Sequence, residues 1–350
     1  MVVFMKDKNQ ITIRKREHLS LAQSPDSKYK VLKSGFKKYR FIHCALPELN
    51  FSEVDVATTF LGYHLSCPLI INPISGGEEN SKNLNKDLAE VAAEEKIALS
   101  LGSLRPALED EANLDYYRIV LEEVEDIPFI INIGCLQIKD DQEVQKIFNL
   151  CDQLDVDAIS IHLNPLQEIL QPEGGTKFAG VLKSIKRFVE FSAIPVIIKE
   201  VGFGLSKSVI TKLINAGVKW IDLSGSGGTS WSRIEAQRNN KEKKAVAMEF
   251  AEWGIPTSEC LGYTSNFPDV NFIASGGIQR GMDFAKALAL GSDFTGIAGA
   301  IVREWSENGR QGIKKLVKRY RQILKICLFS VGCKNIEQFK RNTKIIKKIC

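Results

Sequence analysis

The amino-acid sequence predicts an α/β protein whose main domain is a (β/α)8 TIM barrel, with an N-terminal preface and a C-terminal helical extension. Three observations carry that expectation. After Cys67 the chain repeats a unit of a short apolar run followed by helical sequence, and eight such runs occur before about residue 320. The runs are continuously apolar rather than alternating, the pattern required of parallel strands covered on both faces. No GxGxxG opens a first helix, which argues against an open dinucleotide-binding sheet. The implied division is an arm and preface over 1–66, the barrel over 67–320 and a basic helical extension over 321–350.

Residues 31–62 hold short apolar runs separated by Pro and Asn, as a preface packed on the barrel would. The first strand is Pro68 to Pro73, ending in Ile74-Ser75-Gly76-Gly77, with a helix over 81–95. Ala98 to Leu101 is the second, ending Gly102-Ser103-Leu104-Arg105, with a helix over 111–123. Pro128 to Gly134 and Ala158 to Leu163 follow, with helices over 140–153 and 176–190. Pro195 to Glu200 leads to a helix over 206–216, and Trp220 to Gly225 to a helix over 243–253. Asn271 to Gly277, a helix over 281–290 and Phe294 to Ala298 complete the repeat, and the remainder reads as helical.

Composition bounds the function. With 44% hydrophobic and 25% charged residues, the 350-residue chain has ordinary globular usage. Its net charge of +5 is concentrated at the ends: residues 1–45 hold eleven Lys/Arg against three acids, and residues 303–350 fourteen against three. Such ends suit an anionic small molecule or simple solvation, and nothing beside them resembles a nucleic-acid reading module. Eight cysteines occur singly, without metal-ligand or CxxC spacing, as expected of reduced thiols in a cytoplasmic protein. The opening MVVFMKDK lacks the apolar core of a signal peptide, and no stretch reaches eighteen apolar residues, so neither export nor a membrane span is expected.

The chemistry gathers at the predicted strand ends, where barrels carry their active sites. The run Ile159-Ser160-Ile161-His162-Leu163-Asn164-Pro165-Leu166-Gln167-Glu168 passes from an apolar strand into imidazole, amide and carboxylate groups. His162 and Asn164 are two apart and face one side of a strand. Glu168 offers a hard oxygen to Mg²⁺, with Gln167 a neutral amide beside it. Lys199 ends an apolar strand and suits a flavin edge, a substrate anion or a Schiff base. Asn132 suits a planar ring or a backbone partner, and Arg105 a phosphate or a surface ion pair. Asp222 reads as a structural pair within its strand. Glycines recur at strand ends, Gly76-Gly77, Gly225 to Gly228 and Gly276-Gly277, and with Gly299 and Ala300 they are candidates for a cofactor phosphate. Near the start, Arg14, Lys15 and His18 in RKREH form a basic arm suited to a phosphorylated substrate.

Together these segments resemble the type 2 isopentenyl diphosphate isomerases, flavin enzymes of the FMN-binding barrel superfamily. The resemblance runs nearly the full length: RKREH at 14–18, GSLR at 102–105, HLNPLQEILQPEG at 162–174, PVIIKEVGFGLS at 195–206, SGSGGTSWSRIEAQR at 224–238, WGIPT at 253–257 and ASGGIQRGMDFAKALALG at 274–291. It implies a barrel of the FMN-dependent type. FMN would meet Ser75, Gly76, Ser103, Asn132, Lys199, Ser224 and Thr229, with its phosphate near Gly276, Gly277, Gly299 and Ala300. Arg14, Lys15, His18, Arg105, Ser160, His162, Asn164 and Gln167 would hold the substrate diphosphate, and Glu168 with Asn164 a Mg²⁺. Gln167, Lys199 and His162 would serve catalysis. The implied reaction converts isopentenyl diphosphate into dimethylallyl diphosphate without net oxidation, on FMN kept reduced by NADPH. The resemblance also implies a homotetramer or homo-octamer. Four departures stand out: Ile74-Ser75 for Met-Thr, Leu104 for Gln, Gly175 for Asp after PEG, and no proline in Ala298-Gly299-Ala300-Ile301. The shared barrel leaves two alternatives, an FMN-dependent oxidoreductase or a flavin- or diphosphate-binding homologue without turnover.

Overall fold

Eight parallel strands close into a barrel in the computed structural model, which describes residues 8–74 and 79–349. They are β1 (Leu69–Ile71), β2 (Ala98–Ser103), β3 (Phe129–Gly134), β4 (Ala158–Leu163), β5 (Val196–Glu200), β6 (Trp220–Asp222), β7 (Asn271–Ala274) and β8 (Phe294–Ile297). Each pairs with its sequence neighbours, and β8 closes on β1 through Gly296 opposite Ile70.

The continuous apolar runs arise because both strand faces are covered. Outward residues such as Leu99, Ile131, Ile159 and Ile198 pack under the surrounding helices. Inward residues Ile70, Ala98, Ile130, Ala158, Ile197, Ile273 and Phe294 form a second cluster inside the barrel's amino end. Phe60, from a hairpin of Thr58–Phe60 and Tyr63–Leu65, plugs that end, its ring 4.5 Å from Phe294 and 5.1 Å from Trp220. A strand alternates its side chains with period two, so the next inward position on each strand faces the carboxyl end. There the residue type changes. Ile70 gives way to Asn72, Ile130 to Asn132, Ala158 to Ser160 and His162, Ile197 to Lys199, Trp220 to Asp222 and Ile273 to Ser275.

Helix α1 (Lys8–Gln23) brings Arg14, Lys15 and His18 to the carboxyl-end mouth. Two helical expectations differ. Residues 111–123 form short turns, Glu111–Leu114, Asp115–Arg118 and Leu121–Glu123, instead of one helix. The segment after the sixth strand forms α2 (Trp231–Arg238), α3 (Lys241–Glu249) and a short helix, Thr257–Leu261, where one over 243–253 was expected. The first buries Ser232, Arg233 and Glu235 along with Ile234 and Ala236, a mixture that apolar periodicity does not reveal. Helix α4 (Gly299–Ser330) follows the last barrel strand across position 321, with a kink at Gly309, where φ is 58°. Beyond it, Ile346–Lys348 pairs antiparallel with Tyr39–Phe41 of the preface. Among the described residues no helix is long and apolar enough to cross a membrane.

Candidate active site

A cavity of about 260 Å³ opens at the carboxyl ends of the strands, beneath α1. Its floor is polar because the inward positions there are polar. Asp222 lies beneath that floor and ties its residues together: its carboxylate accepts from Asn72 Nδ2 at 2.8 Å, Ser275 Oγ at 2.6 Å and Ser224 N at 3.2 Å. Burial pushes this carboxyl up, against the pull of Lys199, Ser275 and Asn72. Asp222 is thus the structural pair expected from the sequence. Gly296 makes room for the arrangement, since a Cβ there would lie 2.3 Å from Asn72 Oδ1.

Lys199 stands next to Asp222 in register and donates from Nζ to Glu200 O at 2.7 Å. Burial lowers its pKa, with Asp222 and Glu200 pulling the other way. Glu200 points out of the barrel and accepts from Gly202 N at 2.7 Å, Phe203 N at 2.5 Å and Gly204 N at 3.1 Å, which fixes the loop after β5.

On the next strands, Asn132 Oδ1 lies 3.1 Å from Ser160 Oγ and 3.2 Å from His162 Nδ1. Burial first, then Lys199, Arg105 and Arg14, holds the His162 pKa down to about 3. A neutral imidazole with Nδ1 donating to Asn132 leaves Nε2 as an acceptor. Ser160 does not line the cavity; it lies under Asn132, also 3.1 Å from Ile131 O, and orients that amide.

After β4, Pro165 starts a short helix, Pro165–Leu170, that presents Asn164, Gln167 and Glu168 together. Asn164 Nδ2 lies 3.2 Å from Gln167 Oε1 and 3.1 Å from Glu168 Oε1. Gln167 Nε2 donates to Glu235 Oε1 at 3.2 Å. Glu168 Oε2 accepts from Gly175 N at 2.6 Å. The Gly175 departure has a packing counterpart, because a Cβ there would lie 2.4 Å from Leu136 Cδ1 and 3.6 Å from Glu168 Oε2. Leu104 does not face the cavity at all and is fully buried in the outer apolar layer. Among the described residues no cluster of three His, Cys, Asp or Glu side chains has the geometry of a complete metal site.

The arm closes one side. Arg14 and Lys15 are buried, Lys15 Nζ donates to Ser103 O at 3.3 Å, and Arg14 lies close enough to Arg105 to be depressed by it after burial itself. His18 Nε2 is 2.9 Å from Glu235 Oε1, and its ring meets Trp231 edge-on at 5.1 Å. Across the mouth, Ser224, Thr229, Gly276, Gly277, Gly299 and Ala300 line the opposite wall. Gly276 and Gly277 have φ of 89° and 68°, and a Cβ on Gly276 would lie 1.9 Å from Gly225 O, so only glycine fits this cradle. Ser75 and Gly76 lie outside the described residues.

The structure therefore brings together Arg14, Lys15, His18, Arg105, Asn132, His162, Asn164, Gln167, Glu168, Lys199 and the glycine wall. Sequence reasoning missed Asn72 and Ser275, whose inward register was their only signal. It also missed Lys28, which gave no signal in its lysine-rich surroundings.

Comparison with known proteins agrees with this architecture. Residues 175–346 match the family model described as FMN-dependent dehydrogenase. An isopentenyl-diphosphate delta-isomerase of Pseudescherichia vulneris is 38% identical over 96% of this chain and 97% of its own. Proteins of the same name from Cronobacter sakazakii (strain ATCC BAA-894) and Rickettsia rickettsii (strain Sheila Smith) are 41% and 38% identical over 85% and 96% of this chain, and 86% and 98% of theirs. Among solved structures, a flavocytochrome b2 variant with sulfite bound superposes with a TM-score of 0.68 at 15% identity, covering 94% of this chain and 82% of that one. A mandelate oxidase variant gives 0.64 at 14%, covering 96% and 98%. These two likenesses bear on the fold.

Proposed function

Because the chain belongs to the isopentenyl-diphosphate delta-isomerase family, we propose that it converts isopentenyl diphosphate into dimethylallyl diphosphate, with FMN and Mg²⁺ bound at the barrel mouth. The observation that carries this reading is one cavity with a basic wall, Arg14, Lys15 and Arg105, on one side and the glycine cradle with Gly299 on the other. One suits a diphosphate and the other a cofactor phosphate. The cradle suits FMN because Gly276 and Gly277, in left-handed conformations and packed without a Cβ against Gly225 and Gly227, line the cavity with backbone that a phosphate can approach closely. Asn132, Lys199, Ser103, Ser224 and Thr229 would hold the rest of the cofactor. Reduced FMN held there, with NADPH as its proposed source of electrons, would supply an electron-rich surface and an acid/base nitrogen.

The chain's own residues have separable tasks. The reaction adds a proton at the terminal methylene and removes one from C2, so positive charge develops between those steps and water must be excluded. Arg14, Lys15, Arg105 and His162 Nε2–facing space hold the diphosphate end, and α1 with Trp231 covers it. Gln167 is a neutral amide fixed by Asn164 and Glu235, so it orients substrate or relays a proton rather than acting as the main base. Among the described residues Glu168 is the carboxylate that lines the cavity, and it would be offered to a Mg²⁺ that keeps water and diphosphate oxygens as its other ligands. Assembly into tetramers or octamers belongs to the same reading, and light scattering tests it.

The test is NMR of the two diphosphates with protein, FMN, Mg²⁺ and NADPH under anaerobic conditions. Interconversion that stops when flavin reduction is withheld supports the isomerase. No conversion with bound, reduced FMN overturns it and leaves a flavin-binding homologue without turnover. The family-model match keeps an FMN-dependent oxidoreductase as the second reading, and substrate-dependent reduction of oxidised FMN would favour it.

A further inference from the structure

Lys28 reaches the cavity from the preface, apart from the RKREH segment. The stretch around it is zipped onto the glycine-rich loop after β6: Ser230 N donates to Ser27 O at 2.7 Å, Tyr29 N donates to Gly228 O at 3.1 Å, and Lys28 and Thr229 form an antiparallel bridge. This pairing aims the lysine stem inward. Its Nζ donates to Thr229 Oγ1 at 3.3 Å and Ala22 O at 3.1 Å. A Cβ built on Gly299 would lie 3.6 Å from that Nζ and 3.8 Å from Thr229 Oγ1. The ammonium and the hydroxyl therefore stand over the first residue of α4, on the wall that also holds Gly276 and Gly277.

The charge here is one-sided. Among the described residues no carboxylate lies within ion-pair distance of Lys28 Nζ. Burial lowers its pKa, and another cation, Arg303, lowers it further. A partly buried ammonium without a counter-ion is costly unless an anion arrives. A helix start, a hydroxyl and an ammonium converging without an acid suit a phosphate monoester dianion.

We propose that Lys28 is the charged ligand of the FMN 5′-phosphate, acting with Thr229 and the first turn of α4. The proposal rests on the FMN reading above and adds to it the residue that makes the site select the phosphorylated flavin over riboflavin.

Fluorescence titration of the flavin-stripped full-length protein tests this, with FMN and riboflavin as probes. Lys28→Gln is expected to weaken FMN binding about 10- to 100-fold and leave riboflavin binding within about twofold of the original. Lys28→Arg is expected to retain most FMN affinity. Unchanged riboflavin binding also reports that the variant is folded, and Lys28→Met serves as a second variant that keeps the stem. Equal loss of both flavins in both neutral variants would overturn the proposal, because the lysine would then be a structural strut on Ala22 and Thr229. No loss of either would overturn it too. A raised KM for isopentenyl diphosphate with unmoved FMN affinity would reassign the ammonium to the substrate diphosphate. Failure of the unsubstituted protein to bind either flavin would overturn the FMN reading itself, and this proposal with it.

Discussion

Gln167 Nε2 and Arg238 Nη1 hold opposite oxygens of one buried carboxylate, that of Glu235, at 3.2 and 2.7 Å. Arg238 also reaches Glu17 on α1 at 2.9 Å and Glu173 in the loop after β4 at 2.9 Å. One guanidinium thus ties the arm, that loop and α2 around the cavity. Burial alone would raise the Glu235 pKa, but His18 and Arg238 outweigh it and the net shift is downward. Arg238→Gln leaves Glu235, which has no exposed side-chain surface, without its guanidinium and with only the His18 ring and the Gln167 amide beside it. The expected loss is about 3–5 kcal/mol of stability, read by urea denaturation. KM for the diphosphate should rise as well, since α1 carries Arg14 and Lys15. Lys at this position has no planar fork for three carboxylates, so Arg238→Lys should recover only part of either effect. A variant as stable as the original would refute the clamp.

His162 is expected to remain neutral through the physiological range. Its folded pKa of about 3 lies below the ordinary 6.5. Between those values the unfolded chain binds a proton that the native protein does not. Stability therefore rises with pH across that window, by at most about 1.4 kcal/mol per pH unit. NMR of the His162 ring should show no titration between about pH 5 and 8. A midpoint near the ordinary value would mean that the cavity does not exclude the charged form.

Glu200 titrates with the opposite consequence. Burial raises its pKa to about 7 from 4.5, in spite of three backbone amides and Lys199. The native protein keeps a proton there that the unfolded chain has lost, so this part of the stability falls as pH rises through the window. Glu200→Gln preserves an oxygen acceptor for the loop amides and removes the titration. Thermal melts at about pH 5 and pH 8 should show a smaller decline in the variant than in the original protein. Equal declines would place the proton elsewhere.

Most of the barrel was legible because a strand covered on both faces is apolar along most of its length, and β3, β4 and β5 are such runs until polar residues enter toward their carboxyl ends. The same rule concealed α2, which buries Arg233 and Glu235 through ion pairs rather than apolar contacts. In the site, Asn164, Gln167 and Glu168 were legible as a polar cluster ending a strand. That Arg14 and His18 close over it was not, since a charged helix has the same sequence pattern whether it faces solvent or covers a cavity. Their charge suggested a phosphorylated ligand, and the resemblance made that the substrate diphosphate. Leu104 shows the converse, a departure at a strand end that the fold turns into the outer core.

Glu168 supplies the last prediction. Asn164 Nδ2 reaches one of its oxygens at 3.1 Å and Gly175 N the other at 2.6 Å, so the carboxylate is oriented before any metal arrives. Mg²⁺ prefers six oxygens and keeps several waters, which makes one protein carboxylate and a diphosphate sufficient. Chelation should therefore abolish turnover and added Mg²⁺ should restore it. Glu168→Gln keeps the size and one acceptor oxygen but loses the charge. It should raise the Mg²⁺ concentration for half-maximal rate by about tenfold or more, while FMN affinity stays unchanged because the glycine cradle lies across the mouth. Asn164→Ala removes the orienting amide but not the charge, so its Mg²⁺ requirement should rise less. If Glu168→Gln lowers the maximal rate at saturating Mg²⁺ and leaves the Mg²⁺ requirement unmoved, the carboxylate acts on the substrate directly and not through the metal.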